Sequence, residues 1–138
     1  MANKTDGGKL QQYTRFVDTV TSPATKDLQY WKESLDILEE QGIQPQRLMT
    51  AAVGMCAESG EFADICKKLS WHGKEFDEET RTHLLKEIGD VCWYLSQAII
   101  ALDTTWEEVL DMNIAKLSDR YPGGFDALRS ASRKEGDI

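Results

Sequence analysis

Residues 57–62 read AESGEF and residues 86–91 read KEIGDV, so a pair of acids three positions apart, with a glycine between them, occurs twice. Around both stretches, apolar residues recur at steps of three and four, which is the spacing of one face of an α-helix. No proline interrupts the chain between Pro45 and Pro122. The sequence therefore predicts an all-α protein in which each acidic stretch lies on its own helix.

Apolar periodicity and helix-end signals predict a bundle of about five helices in one domain. The expected helices lie at about residues 10–20, 23–41, 46–70, 77–102 and 105–120. Gly42 is the expected stop of the second helix, and Asp77 is the expected cap of the fourth. Residues 1–9 are expected to form a flexible lead and residues 126–138 a polar tail.

The acids of the repeated pattern are candidate ligands of a metal ion. At about 100° per residue, Glu61 lies about 60° from Glu58, beside the apolar stripe of the third helix. Asp90 has the same offset from Glu87 on the fourth helix. If these two helices pack antiparallel through their apolar faces, the carboxylates converge at one rim, where a divalent cation would offset their repulsion. Oxygen ligands favour Mg²⁺, with Mn²⁺ as a substitute.

The residues leave other interpretations of the acidic pairs open. Acids at this spacing also occur on solvated helix faces. A di-iron carboxylate bundle needs Glu-x-x-His pairs, and neither pair here ends in histidine. The cysteines show no Cys-x2-Cys spacing, and only His72 and His83 could join them, so zinc is poorly supported. Gly60 and Gly89 lower helix stability, and close approach of another backbone would explain them.

Composition and charge argue against several classes of function. The chain has 138 residues and a formal net charge of −8, which disfavours binding to nucleic acid or to an anionic membrane surface. No run of about 18 apolar residues is present. The N-terminal segment lacks the apolar core of a secretory signal, and an odd number of cysteines suits a reducing compartment. The sequence therefore predicts a cytoplasmic protein.

The two acidic stretches also carry a resemblance to a known family. Residues 58–61 and 87–90 resemble the E-x-x-E…E-x-x-D signature of the MazG-like all-α nucleoside triphosphate pyrophosphohydrolases. The likeness extends to NIAKLSDRYP at residues 113–122 and covers residues 48–125 well. It implies a single MazG-like domain that uses Mg²⁺ to hydrolyse the α–β anhydride of an NTP or dNTP to monophosphate and pyrophosphate. Such an enzyme controls nucleotide pools or clears non-standard nucleotides.

The resemblance implies roles for individual residues. The Mg²⁺ ligands would be Glu58, Glu61, Glu87 and Asp90. One of these four acids, with Glu61 as a candidate, could instead orient the attacking water as general base, and this choice stays open. Lys116 and Arg120 match a lysine and an arginine that family members place four residues apart to hold phosphates, so both are expected to contribute to catalysis. The other candidate substrate contacts are Asn113, Tyr121, Lys67, Lys68 and Trp93.

The resemblance also bears on partners and alternatives. Family members dimerise, so a homodimer or homotetramer is expected, with the nucleotide as the small-molecule partner. A dUTPase-like enzyme and a phosphoribosyl-ATP pyrophosphohydrolase share the acidic helices and stay open. A non-catalytic helical interaction module, with a cation-stabilised acidic surface, is the alternative from another class. Lys116 and Arg120 favour an enzyme, because a purely structural metal site does not need phosphate-binding cations beside it.

Overall fold

The computed structural model describes residues 8–131, and this part of the chain is all-α as predicted. Its helices are α1 (Lys9–Val20), α2 (Pro23–Lys26), α3 (Leu28–Glu40), α4 (Pro45–Trp71), α5 (Glu78–Ala101), α6 (Trp106–Arg120) and α7 (Ala127–Ala131). Between α6 and α7, Pro122 and Gly124 form an isolated bridge, and no strand occurs among the described residues. None of the described helices is both long and apolar enough to cross a membrane.

The second predicted helix is the main departure from the sequence prediction. The segment 23–41 forms two helices, because the backbone at Asp27 is extended (φ −122°, ψ 118°). The Asp27 carboxylate accepts a hydrogen bond from the Tyr30 amide over 2.9 Å and so caps α3. An aspartate within a helical pattern also fits a solvated face, which is why the sequence alone did not predict this break.

The helices near both ends of the described chain extend beyond the prediction. α1 begins at Lys9, the last residue of the expected lead. The Asp126 carboxylate accepts hydrogen bonds from two backbone amides, over 2.8 and 3.0 Å, and starts α7 inside the expected polar tail. The remaining residues of the lead and the tail, 1–7 and 132–138, lie outside the described residues.

The chain divides into two compact units, one ending at Pro45 and the other beginning at Gln46. The first unit contains α1, α2 and α3. Within it, the Lys26 ammonium lies 3.4 Å from the Asp18 carboxylate and also donates to the Asp18 carbonyl, which ties α2 to the end of α1. That the chain forms one domain stays a prediction from the sequence.

α4 and α5 form an antiparallel pair in the second unit. The Arg47 guanidinium, early in α4, donates to the Gln97 side chain, late in α5, over 2.5 Å. Gly54, farther along α4, lies against the Tyr94 ring, which comes earlier in α5. Residues farther along α4 therefore contact residues earlier in α5, as in an antiparallel pair. The connecting turn contains Gly73 at φ 67°, a left-handed conformation that glycine adopts without strain.

The close approach expected at the glycines of the acidic stretches occurs elsewhere. No heavy atom of the described residues, apart from those of the glycine's own surroundings on the helix, lies within 4 Å of the position that a Cβ would take at Gly60 or Gly89. A Cβ at Gly54 would instead overlap the Tyr94 ring. The glycine that brings α4 against α5 is therefore Gly54, one turn before the first acidic stretch.

The buried apolar residues of the described chain lie on the α4–α5 pair. They are Ala51 and Ile65 on α4 and Ala101 on α5. α1 and α6, by contrast, have no buried residue. The large apolar side chains that α6 exposes are Trp106, Val109, Leu110, Met112, Ile114 and Leu117. The α4–α5 pair thus holds the packed part of the second unit, and the apolar side chains of α6 stay exposed.

Candidate metal centre

Three of the predicted ligands meet where α4 faces α5. Glu58, Glu61 and Glu87 each offer a carboxylate oxygen, and these oxygens all lie within 4.8 Å of one another. The pattern explains why: two acids three residues apart share one side of α4, and antiparallel packing brings the acid of α5 opposite them. We call this group the carboxylate cluster.

The acids of the carboxylate cluster differ in burial. Glu87 is 5% exposed, Glu58 is half-buried and Glu61 is exposed. Nε2 of His83 lies 2.9 Å from an oxygen of the Glu87 carboxylate. This carboxylate also shares a hydrogen bond with the Glu58 carboxyl. A buried carboxylate needs such partners, because an unsatisfied charge away from water is costly.

His83 is the residue of this site that sequence reasoning missed. The sequence indicates His83 only as a possible zinc ligand, together with His72. Its position four residues before Glu87 places both side chains on one face of α5, which is the signal that could have revealed the contact.

The neighbouring acids change the acidity of Glu58. Burial raises the pKa of the Glu58 carboxyl above its ordinary value, and surrounding negative charges raise the pKa further. In decreasing order of effect, these charges belong to Glu61, Asp90 and Glu87. The charged form of the cluster is therefore disfavoured unless a proton or a cation compensates it.

Asp90, the fourth predicted ligand, is not one of the acids whose oxygens meet within 4.8 Å. It lies one turn after Glu87 on α5, is exposed, and acts on Glu58 through its charge. Its carboxylate is thus close enough to contribute to the electrostatics of the cluster, while the ligand group that the structure assembles contains only Glu58, Glu61 and Glu87.

The carboxylate cluster suits a small divalent cation. All of its donors are carboxylate oxygens, which are the ligands that hard ions such as Mg²⁺ prefer. Glu58, Glu61 and Glu87 each offer an oxygen within 4.8 Å of the others, so these three acids would be the ones to hold such an ion. The raised pKa of Glu58 agrees with a cation site, because neighbouring negative charges disfavour the charged Glu58 carboxylate and a cation would offset them.

An open apolar groove lies beside the carboxylate cluster. It has a volume of about 260 Å³ and is lined by Ser59, Phe62, Ile88, Val91 and Cys92. Each of the first four residues directly follows one of the predicted ligands in the sequence, so the groove and the acids lie on adjacent sides of the same helices. This groove was not predicted from the sequence.

Lys67 and Lys68, predicted as substrate contacts, are engaged by an acid near the end of α4. The Lys68 ammonium lies 2.6 Å from the Asp64 carboxylate, and the Lys67 ammonium pairs with the same carboxylate. Hydrogen bonds from both lysines, that of Lys67 first, lower the pKa of Asp64 to about 2. All three side chains stay partly exposed to solvent.

The predicted phosphate-binding residues lie on α6, outside the carboxylate cluster. Lys116 and Arg120 are one turn apart, and Asn113 lies one turn before Lys116. The Arg120 guanidinium carbon is 6.0 Å from the centre of the Tyr121 ring, at a distance typical of a cation–π contact. Tyr121 in turn packs against Phe125, with 5.8 Å between the ring centres. Arg120 and Phe125 thus both contact the Tyr121 ring.

Trp93, one of the predicted substrate contacts, is 54% exposed on α5. Its ring meets the Tyr94 ring edge-on, with 4.8 Å between the centres. Tyr94 itself packs against Gly54 between the helices. Of these two neighbouring aromatic residues, Tyr94 packs α4 on α5, whereas Trp93 remains accessible.

Comparisons with known proteins identify the region that carries the cluster. The family model of the MazG nucleotide pyrophosphohydrolase domain matches residues 46–125, which include α4, α5 and α6. The Gene 37 protein of Mycobacterium phage L5 is 34% identical over 79 residues, which cover 56% of this chain and 68% of the phage protein. No solved structure gives a significant match.

Proposed function

The chain belongs to the MazG nucleotide pyrophosphohydrolase family, and we propose that it hydrolyses the α–β phosphoanhydride of nucleoside triphosphates in the presence of Mg²⁺. The observation that carries this proposal is the carboxylate cluster, which lies inside the matched region. The products would be a nucleoside monophosphate and pyrophosphate, from ribo- or deoxyribonucleotides. Its role would be the control of nucleotide pools or the clearance of non-standard nucleotides.

In this proposal the carboxylate cluster and Asp90 hold the divalent cation. The antiparallel α4–α5 pair presents the three clustered carboxylates, and Asp90 adds a fourth from the next turn of α5. When bound, Mg²⁺ or Mn²⁺ would neutralise phosphate oxygens and lower the pKa of a water molecule. The low exposure of Glu87 restricts its movement, so it is suited to hold the cation rather than to exchange protons with solvent.

We assign the general base to Glu61. It is the exposed member of the carboxylate cluster, so water can reach it, whereas Glu58 and Glu87 share a hydrogen bond with each other. In the reaction, the water oxygen forms a bond to phosphorus and the bridging phosphoanhydride bond breaks. Glu61 accepts the proton of the water, and pyrophosphate carries away the electron pair of the broken bond.

The cations of α6 are assigned to the triphosphate. Arg120 can bind two phosphate oxygens at once, and Lys116, one turn away, supplies a point charge. Asn113 and Tyr121 flank them as further substrate contacts. Because Lys67 and Lys68 pair with Asp64, a phosphate would have to replace that carboxylate before these lysines could contribute.

The accessible ring of Trp93 is the proposed contact for the nucleobase. More than half of its surface is exposed, and its neighbour Tyr94 holds it edge-on. Aromatic side chains stack on any base, so this contact supports binding and leaves the choice of base to other groups.

We also propose that the chain forms a homodimer or a homotetramer in the cytoplasm. Soluble proteins rarely expose large contiguous apolar areas without a partner, and α6 exposes several large apolar side chains while burying none. A second copy would cover this surface and shield the open rim of the carboxylate cluster. The net charge of −8 disfavours nucleic acid and anionic membranes as partners.

Product analysis tests the proposed reaction. The purified full chain is incubated with each common NTP and dNTP and Mg²⁺, and the products are separated by chromatography. We expect monophosphate and pyrophosphate, and a rate at least about 100-fold lower for Glu61→Gln, which keeps the shape but removes the base. Diphosphate and orthophosphate would contradict the proposal, and no turnover of any nucleotide would favour a non-catalytic interaction module.

A further inference from the structure

His83 lies at the outer side of the carboxylate cluster and contacts one of its members. We propose that His83 is a positioning residue, which holds the Glu87 carboxylate in the orientation that binds the divalent cation. This inference rests on the proposed function, since it assumes that the carboxylate cluster binds a cation. It assigns a role to a residue outside both acidic stretches.

The geometry of the contact supports this role. Nε2 of His83 lies 2.9 Å from one oxygen of Glu87, which is within the N···O distance at which an imidazole N–H can donate to a carboxylate. The two residues are four apart on α5, so the helix backbone sets the distance between their Cα atoms. A glutamate side chain has several rotatable bonds, and a fixed donor on one oxygen removes much of that freedom.

Burial makes this donor more important for Glu87 than it would be at the surface. Glu87 is 5% exposed, so water supplies few hydrogen bonds to its carboxylate. Its other contact in the cluster is the hydrogen bond with Glu58. Glu58 is itself an acid and a predicted ligand of the cation. The contact with the His83 imidazole can therefore fix Glu87 without competing for the cation.

His83 acts through Glu87 rather than on the cation itself. It is not one of the residues whose potential ligand atoms meet within 4.8 Å, which are Glu58, Glu61 and Glu87. Its side chain is 55% exposed, so the imidazole lies at the outer edge of the site. Partners that hydrogen-bond to metal-binding carboxylates in this way typically change metal affinity by about 10- to 100-fold when they are removed.

A metal titration without nucleotide tests the role of His83. Mn²⁺ is added to the full chain, free Mn²⁺ is followed by electron paramagnetic resonance, and the dissociation constant is compared among variants. His83→Leu removes the donor, whereas His83→Gln places an amide N–H near the position of Nε2. His72→Leu is the matched control, because it removes the other histidine of the chain, which lies in the turn after α4.

We expect His83→Leu to bind Mn²⁺ about tenfold more weakly than the wild type, at the lower end of the effect of such partners because the imidazole is exposed. His83→Gln should restore most of that affinity, and His72→Leu should leave it unchanged. The melting temperature without metal, measured for each variant, should change little. If His83→Leu does not fold, His83→Asn, whose shorter amide cannot reach the carboxylate, takes its place.

The outcomes separate this inference from the proposed function. Wild-type affinity in His83→Leu, or tighter binding, would overturn the positioning role while leaving the cation site intact. A loss that His83→Gln does not restore would also overturn it, because the donor would not be the cause. If the wild type binds no Mn²⁺, or if Glu87→Gln binds it as tightly as the wild type, the proposed cation site itself fails and the inference fails with it.

Discussion

The α4–α5 pair and α6 belong to the same compact unit, and they differ in how far their side chains are buried within one chain. In the pair, the Tyr94 ring packs against Gly54, and three carboxylates meet. The buried apolar residues of the described chain also lie on these two helices. α6 has no buried residue and exposes most of its large apolar side chains. One chain is therefore enough to assemble the acidic half of the proposed site.

The difference bears on the proposed self-association of the chain. The carboxylate cluster depends on contacts between consecutive helices joined by a short turn, which form within one chain. The large apolar side chains of α6 stay exposed, and the residues predicted to bind phosphate lie on the same helix. We infer that self-association would complete the surroundings of the phosphate-binding residues, whereas the cation site forms without it.

The close contact between Gly54 and Tyr94 is the first target for separating the two regions. Gly54→Val would force side-chain atoms into the space of the Tyr94 ring, so we expect a loss of about 1–3 kcal/mol in the free energy of unfolding. Gly60→Ala is the matched control, because no described atom beyond its own helix surroundings lies within 4 Å of its added Cβ. Urea denaturation followed by circular dichroism measures both variants. Equal stability of Gly54→Val and the wild type would contradict the close packing.

Arg120 tests the role of α6 in substrate binding. Arg120→Lys keeps the charge and loses the bidentate geometry, so we expect KM for the nucleotide to rise by about tenfold, the effect of losing one charge-assisted hydrogen bond. Arg81→Lys is the control, because Arg81 makes an exposed ion pair with Glu78 at the start of α5. Steady-state kinetics at saturating Mg²⁺ measures the change. An unchanged KM for Arg120→Lys would remove this residue from the substrate site.

The exposed apolar side chains of α6 can be tested apart from activity. Leu110→Lys places a charge among them, so we expect self-association to weaken by about tenfold or more, because a charge buried without a partner is costly. Ser118→Lys, on the same helix, adds the same single charge at an exposed polar position. Sedimentation velocity over a range of concentrations measures the oligomer. If the wild type is monomeric, or if both variants associate equally, the proposed interface is wrong.

Asp64 gives the smallest expected effect. Its hydrogen bonds to Lys67 and Lys68 lower its pKa from 3.8 to about 2, so the folded chain keeps this carboxylate charged at a pH where the unfolded chain protonates it. The stabilisation is complete above about pH 4 and is lost as the pH falls through about 2. Asp64→Asn should lack this part of the pH dependence of the melting temperature, and Asp36→Asn should retain it. Parallel curves for Asp64→Asn and the wild type would contradict the ion pairs.

The acidic half of the site could be predicted because its geometry follows from helical periodicity. Glu58 and Glu61 share one side of α4, and the matching phase of Glu87 on α5 was sufficient to predict that the three meet if the helices pack antiparallel. Family resemblance added the reaction and the α6 residues, which periodicity alone does not supply.

Contacts that depend on tertiary packing were not predictable in the same way. The sequence does not show which glycine lies against another helix. The acidic stretches predict this close approach at Gly60 and Gly89, whereas it occurs at Gly54. Asp27 looked like a solvated helix residue, because only the local backbone reveals its role as a cap. The contact between His83 and Glu87 fits the spacing of a helix face, but many pairs with this spacing on exposed helices form no contact.

The most direct test of the central claim is the dependence of pyrophosphate release on Mg²⁺ in the wild type and in Glu87→Gln. The substitution keeps the size of the buried side chain and removes its charge. We expect pyrophosphate to appear in the wild type with a saturable dependence on Mg²⁺, and at least about a 100-fold lower rate in the variant at the same Mg²⁺ concentration. Release of orthophosphate instead of pyrophosphate, or equal rates in the two proteins, would contradict the account.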